Sequence, residues 1–255
     1  MQAMFSLQDD LYVPNDVARG VWSEDSLHGR AVVGLVGHVL VKRFGKAGML
    51  PARLTIDMPR LSRFAPVRIE SRLLRDGRRL RLAEAVLMIE GEEYARATCQ
   101  FLRQGESPEA PRWSGEAWGA PHPESLETLP INHRGTPFEW RNASGGLGSR
   151  LPRHMWMREK FLLVAGEPLS GWDRVALAAD FGSPWAHAAR GDPGYINTDA
   201  TLHIHREPEG EWIGFEATGH QASHGIAVGN CRIHDTAGPL GFVTTTAIGN
   251  RIGRE

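Results

Sequence analysis

The 255-residue sequence predicts an α+β fold built from two copies of one module, each an antiparallel sheet wrapped around one central helix. Three observations predict it. The first is a repeated order. An apolar, glycine-bearing helix pattern near Ala31–Val41 precedes Leu54-Thr55-Ile56-Asp57 and a strand-rich stretch through Val67–Phe101. A second helix pattern near Trp172–Phe181 precedes Leu202-His203-Ile204-His205 and strands through Trp212–Ile248. The second is near-constant spacing: Leu54 and Leu202 are 148 positions apart, while Leu80 and Ile226, like Thr98 and Thr244, are 146 apart. The third is that strands within each copy follow one another through short turns, which requires antiparallel pairing.

Taken in order, Leu11–Trp22 reads as a first strand with an early turn at Pro14-Asn15, and Ser23–Ser26 supplies capping residues for the helix. In that helix Val32, Leu35, Val36, Val39 and Leu40 fall at i, i+3, i+4, i+7 and i+8, one apolar stripe. Ala31, Val33 and Val41 carry apolar character round the remaining faces, so the helix must be enclosed. Gly34 and Gly37 cost roughly 1 kcal/mol each in helix propensity, which makes sense where a sheet approaches the helix backbone. Leu54, Ile56 and Met58 then alternate, as do Val67, Ile69, Ser71 and Leu73, up to a hairpin signal at Asp76-Gly77. Leu80, Leu82, Val86 and Met88 continue to Glu90-Gly91, and Tyr94–Leu102 closes the module.

Gln104 to about Pro137 is rich in Pro, Gly, Glu and Ser and reads as a linker, with Trp113, Trp118 and Leu126 placing parts of it against the surface. Asn142–Gly148 reads as a second flexible stretch. The expected division is an N-terminal module over 1–104, a linker over 105–148 and a C-terminal module over 149–255. In the second module Arg153–Lys160 resembles a strand, Trp172–Trp185 a helix and Tyr195–Arg206 a strand. Asp235–Gly238 is the turn that matches Glu90-Gly91.

Composition narrows the class. Apolar residues make up 41% and charged residues 23%, which is globular rather than disordered. A formal net charge of −1 provides no global field toward nucleic acid or an anionic membrane. Cys99 and Cys231 are too few for a disulfide framework; both sit in strand-like runs and read as reduced and buried, which suits a cytoplasmic protein. The start, MQAMFSLQDDLYVP, is acidic where a signal peptide would be basic. The longest apolar run, interrupted by His38, is too short to span a bilayer. Neither a Gly-x-Ser-x-Gly elbow nor a phosphate-binding glycine loop is present, and no cofactor is expected. The oligomeric state stays open, a homo-oligomer included.

Leu27-His28-Gly29-Arg30-Ala31-Val32-Val33-Gly34 is similar to the helix-start motif of double-hotdog proteins of the acyl-CoA thioesterase II type, in which paired glycines and then Gln or a small residue precede Val-Val-Gly. Further parts resemble that family in the same order: Ala178–Asp180, Thr198-Asp199-Ala200, His205-Arg206, Glu211-Trp212 and Gly238-Pro239-Leu240-Gly241. The resemblance covers most of the chain outside the linker. It implies a double hotdog, two units side by side sharing a continuous sheet with the helices on one side. It also implies hydrolysis of acyl-CoA thioesters to free acid and CoA.

The resemblance places the family's water-activating aspartate at Asp199. It expects a Thr or Ser on the following long strand and a Gln on the last strand to hold the same water. Aligning on Trp212 brings His220 to the hydroxyl position, with Gln221 and Ser223 close by; aligning on Gly238 brings Thr244, Thr245 or Thr246 to the Gln position. Both positions depart from the pattern. A Thr hydroxyl can orient water but is shorter than a Gln amide, and His220 could itself be the base, with Asp199 orienting it. His28, Gly29 and Arg30 are the candidate substrate-binding residues. A helix N-terminus offers unpaired N–H groups and a positive dipole end, and Gly29 lets a carbonyl approach without a Cβ in the way. The plainer reading makes His28-Gly29 only a tight start to the helix. Arg68, Arg72, Arg75, Arg78, Arg79 and Arg81 could meet CoA phosphates or form a solvated strand face.

Three rival readings are open. His203, His205 and Glu209 have the spacing of half a cupin metal motif, without a second half. A hotdog hydratase would use an Asp and a His flanking a Pro at the helix start, where this chain has Asp25 and His28 without the Pro. A hotdog that binds acyl-CoA or another lipid-like ligand without turnover would tolerate the departures at His220 and Thr244–Thr246. In every case Gly29 belongs to the first copy and Asp199 and His220 to the second, while the first copy has Arg53, Leu54 and Thr55 where the second has Asp199. The expectation is therefore one composite site rather than two equal ones.

Overall fold

The computed structural model describes residues 2–113, 118–128, 138–189 and 194–250. Its elements run β1 (Ala3–Gln8), β2 (Leu11–Pro14), α1 (Gly29–Phe44), β3 (Met49–Asp57), β4 (Val67–Asp76), β5 (Leu80–Ile89) and β6 (Glu92–Arg103) in the first copy. There follow β7 (Phe138–Ser144), β8 (His154–Glu159), β9 (Leu162–Val164), α2 (Gly171–Ala179), α3 (Gly182–His187), β10 (Tyr195–Asn197), β11 (Asp199–Ile204), β12 (Trp212–Ser223), β13 (Ile226–Asp235) and β14 (Gly238–Gly249). The strands form one sheet in the order β7-β8-β12-β13-β14-β11-β3-β6-β5-β4-β2-β1-β9, with β10 beside β14. Pairing is antiparallel except between β1 and β9, where an edge strand of the second copy returns to the first. None of the described helices is long and apolar enough to cross a membrane.

The copies join at β3 and β11, paired from Asp57–Asp199 to Arg53–His203. Leu54 and Leu202 are cross-strand neighbours there, not copies of one another. The internal repeat is instead the spacing of 146, and it appears as a row straight across the sheet: Glu84, Thr98, Thr55, Thr201, Thr244, Asn230. Each residue in the first half of the row has its counterpart 146 positions on. Thr201 and Thr55 hydroxyls meet at 3.4 Å at the centre, and Thr244 Oγ1 donates to Asn230 Oδ1 at 2.7 Å at one end. On the opposite face Leu54, Ile56, Ala200 and Leu202 enter the core against the helices.

Helix α1 is buried nearly all round, as its sequence requires; the nearest side chains at its glycines come from α2, and at Gly37 the sheet also comes close through Leu54, 3.3 Å from where a Cβ would stand. A Cβ on Gly34 would lie 2.6 Å from Leu177 Cδ2, and one on Gly37 would lie 3.1 Å from the Ala176 methyl. Trp172 Nε1 donates to the Gly37 carbonyl at 3.0 Å, fixing the crossing. The cap of α1 is His28, not the Ser23–Ser26 run: its Nδ1 accepts from the Arg30 N–H at 3.3 Å. Helix α2 starts at a capping box of Ser170 and Asp173. The helix expected over Trp172–Trp185 breaks at Asp180-Phe181 into α2 and α3, and the strand expected over Tyr195–Arg206 breaks at Thr198.

Other expectations shift at the edges. Leu11–Trp22 is a strand only to Pro14, and β1 precedes it at Ala3–Gln8, a run without clear alternation. The stretch read as linker contributes the edge strand β7, which takes in Asn142. Trp118 packs on Trp156 (ring centroids 4.7 Å) and His234 (4.1 Å), over Gly214, which has no side chain to obstruct it. Trp113 is 92% exposed, so it does not anchor the stretch. Cys99 and Cys231 are free and buried.

Filling the α1–α2 contact should be costly. Gly34→Val is expected to lower stability by about 2 kcal/mol through overpacking against Leu177, read as a shift of the urea midpoint. An unchanged midpoint would contradict the close approach described for the two helices.

Candidate active site at the start of the first helix

The N-terminus of α1 opens into a cleft lined by Trp22, Leu27, Gly29, Met58, Asp180 and Asn197, among others. About 70 Å³ within it is open to water, room for a few molecules. Asp180 ends α2 and its carboxylate lies over Gly29, with Oδ1 2.7 Å from where a Cβ would stand. Asn197 Nδ2 donates to Asp180 Oδ1 at 3.0 Å and reaches the Asp199 carbonyl at 3.5 Å. Burial raises the Asp180 pKa, against the lowering effects of the Asn197 hydrogen bond and the Arg30 charge. A buried carboxylate with a single donor among the described residues, beside a helix start, is poised to exchange a proton or hold a polar ligand.

His28 and Gly29 stand at this helix start as the sequence suggested; Arg30 does not line the cleft. Its side chain is fully buried, ion-paired with Glu159, bonded to the Leu177 carbonyl at 3.1 Å and stacked on the Phe138 ring at 4.2 Å. In this arrangement Arg30 ties α1 to β8, β7 and α2 instead of facing a ligand. Burial, helped by the Arg30 charge, pushes His28 down to about 3, so its cap is a neutral imidazole.

Asp199 sits where the β10–β14 register and the β11–β14 register differ by one residue. Thr198 N–H donates to the Thr246 carbonyl at 2.9 Å, and the Thr198 carbonyl is taken by Met58 N–H at 2.7 Å. The Thr246 N–H that the ladder leaves over donates to Asp199 Oδ1 at 2.6 Å. The carboxylate thus stitches a β-bulge. His220 lies with a different group. Its Nδ1 is 2.8 Å from His187 Nδ1, and His187 Nε2 is 3.1 Å from Thr245 Oγ1. His220, Gly229 and Thr245 are register partners on one face, and Gly229 leaves the room that His187 occupies. Thr244 and Thr246 alternate onto the other face, where Thr244 bonds Asn230.

The remaining candidates are dispersed. Asp25 is exposed and faces Arg63, while His28 Nδ1 turns to its own helix, so the two do not form an acid–base pair. His205 Nε2 meets the Pro239 carbonyl at 3.1 Å, and no three metal-ligating groups converge among the described residues. Arg68 pairs with Asp10, Arg72 with Glu84 and Arg81 with Asp76. Arg81 also bonds the Phe44 carbonyl at 2.7 Å, which puts that run at the far end of α1, about 23 Å from Gly29 at 1.5 Å per residue.

Asp180, Asn197 and His187 carried no assigned role in the sequence reading. Asp180 had one available signal. Gly29 and Gly171 are both first helical residues 142 apart, and His38 and Asp180 are 142 apart too. Each is a polar residue that follows an apolar run (Ala31–Gly37 and Val175–Ala179) and sits near the start of the other helix: Asp180 over Gly29, and His38 bonded to Asp173 at 3.0 Å.

A continuous sheet made of two antiparallel halves, with the helices packed side by side on one face, defines a double hotdog. Residues 104–248 match the family described as the acyl-CoA thioesterase C-terminal domain, and the chain belongs to that family. Among solved structures, a hot dog fold protein from Alicyclobacillus acidocaldarius is 16% identical over 98% of this chain and 96% of its own, with a TM-score of 0.77. The tesB protein of Mycobacterium avium is 17% identical over 94% and 93%, with a TM-score of 0.70. The acyl-CoA thioesterase II TesB2 of Mycobacterium marinum is 15% identical over 97% and 95%, with a TM-score of 0.68. At these identities the likeness is one of fold. Comparison with curated protein sequences gives no match.

The buried histidines set an acid limit. Burial holds His28 near 3, and holds His187 and His234 near 4. All three titrate near 6.5 once unfolded, so the unfolded chain takes up protons first as pH falls. Stability should decline from about pH 6.5 down to about pH 3. His28→Asn, which keeps a capping acceptor, is expected to flatten that slope in urea titrations at several pH values. Asp180 works in the opposite direction, because its raised pKa penalises the folded state as pH rises. Asp180→Asn should therefore be more stable than the parent at pH 7, with the gap closing toward pH 4; a gap that does not vary with pH would refute the burial account.

Proposed function

We propose that this chain hydrolyses an acyl-CoA-class thioester by direct attack of water, with the thioester carbonyl directed at the start of α1. The observation that carries the reading is the α1 N-terminus: Gly29 N–H takes no partner among the described residues and no Cβ screens it from the water-sized cleft. One oxyanion donor of this kind can be worth roughly 10²–10³ in rate. Trp22, Leu27 and Met58 offer apolar surface beside it for the acyl portion.

Asp199 is the proposed base. One oxygen is anchored by Thr246 N–H, and the other takes no partner among the described residues. Water adds to the carbonyl carbon as Asp199 accepts its proton; the tetrahedral oxyanion then collapses, the C–S bond breaks, and the thiolate leaves with a proton returned. Asn197 links the Asp199 backbone carbonyl to the Asp180 carboxylate, which ties the start of β11 to the cleft.

A second reading, ligand binding without turnover, is favoured by the same Asp199–Thr246 bond, since a carboxylate needed to close a bulge need not do chemistry. An acyl-CoA panel assayed for free thiol, with binding measured in parallel, separates the two: binding without thiol release supports the second. In the hydrolase, Asp199→Asn keeps the acceptor for Thr246 N–H but cannot take a proton, and is expected to lose roughly 10²–10⁴ in turnover with the fold intact. Undiminished turnover would remove Asp199 from the mechanism.

A further inference from the structure

The group around His220 has a direction. His187 Nδ1 and His220 Nδ1 lie 2.8 Å apart, so one of these two nitrogens must carry a hydrogen and the other must not. His187 Nε2 faces Thr245 Oγ1 at 3.1 Å. Thr245 is 1% exposed, and its hydroxyl has no other hydrogen-bond partner among the described residues. A buried hydroxyl hydrogen without an acceptor is costly, so Thr245 must donate to His187 Nε2. His187 then carries its hydrogen on Nδ1 and donates it to His220 Nδ1. His220 is left with its hydrogen on Nε2, on the exposed side of the ring.

We infer that Thr245, His187 and His220 form a one-way hydrogen-bonded chain that presents His220 Nε2–H as a neutral donor, so that in the proposed hydrolysis His220 acts as a donor and not as the base. The surroundings fit. Tyr195 of β10 packs at 5.8 Å from both rings and closes the third side. Arg153 donates to the Ala186 and Ala188 carbonyls beside His187, and burial, then His220, then the Arg153 charge disfavour a second proton on His187. Placing a proton on His220 Nδ1 would require the whole chain to reverse, leaving the Thr245 hydroxyl hydrogen without an acceptor. His187 and Thr245 are therefore positioning residues, acting through His220. The sequence option in which Asp199 orients His220 gives way to this one, because the partner of His220 Nδ1 is His187.

The activity part of this inference rests on the hydrolase reading; the proton arrangement does not. In ¹⁵N-histidine-labelled protein, with signals assigned through H187Q and H220Q, His187 should be protonated at Nδ1, the minority form of free imidazole, and His220 at Nε2. His187 protonated at Nε2 together with His220 at Nδ1 would overturn the chain. For turnover, His220→Gln places an amide N–H₂ where Nε2–H stood and cannot act as a base. It should stay within about tenfold of the parent, while His220→Ala loses roughly 10²–10³, the usual cost of one oxyanion donor. Equal impairment of the two variants would make His220 the base and sink the donor role. A parent enzyme that cleaves no thioester would refute the proposed function while leaving the NMR result to stand or fall separately.

Discussion

The pairing of β3 with β11 is the constraint on which the rest of this structure depends. Each copy alone would leave one long strand edge open, with unpaired N–H and C=O groups. Joining the two edges makes one sheet, sets the internal axis beside Thr55 and Thr201, and forces the helices to lie side by side on the same face. Only small residues allow that approach, which is why α1 tolerates Gly34 and Gly37 in its interior despite their cost in propensity.

The same seam makes the cleft a joint product of both copies. Leu27, Gly29 and Met58 come from the first; Asp180 and Asn197 come from the second. Antiparallel helices bring the end of each near the start of the other, so the geometry offers two related places. The sequence has treated them differently. Beside Gly29 stands Asp180, buried and with one donor, next to space for water. At the start of α2, His38 is closed in by Asp173 and Glu167, and Lys42 pairs with Glu167 as well. The first arrangement leaves a polar atom facing a cavity, whereas the second is a filled ion-pair cluster.

Much of this fold was legible because it follows from periodicity. The apolar stripe of α1, the alternation through β3 to β6 and the spacing of 146 between Thr98 and Thr244 each reflect a repeat distance that the backbone imposes. What was not legible depends on contacts between distant residues. Arg30 looks like a ligand-facing cation beside a helix start, but a buried partner 129 positions away, Glu159, turns it inward. His28 displaced the expected serine caps because its ring nitrogen can do what a serine oxygen does. β7 went unread because its pairing partner β8, and not its own composition, makes it a strand. Trp113 and Trp118 look equivalent in sequence, yet only Trp118 has a glycine, Gly214, opposite it to pack over.

The division of the three consecutive threonines shows how little separates one site from another in such a sheet. Side chains alternate faces, so moving one position along β14 carries a hydroxyl from the solvent side to the helix side. Thr245 therefore meets His187, while Thr244 meets Asn230 and Thr246 offers its backbone N–H to Asp199. No alignment on Gly238 could choose among them, because a single-residue bulge at Thr198-Asp199 decides which register β11 keeps with β14. The bulge needs a substitute acceptor for one N–H, and an aspartate supplies it. Asp199 is thus held in place by the same irregularity that separates it from the ordinary alternation of its strand. A carboxylate with one oxygen bound to the backbone and the other without a partner among the described residues is fixed in position yet keeps one oxygen free, which makes a structural and a chemical role for Asp199 compatible within one side chain.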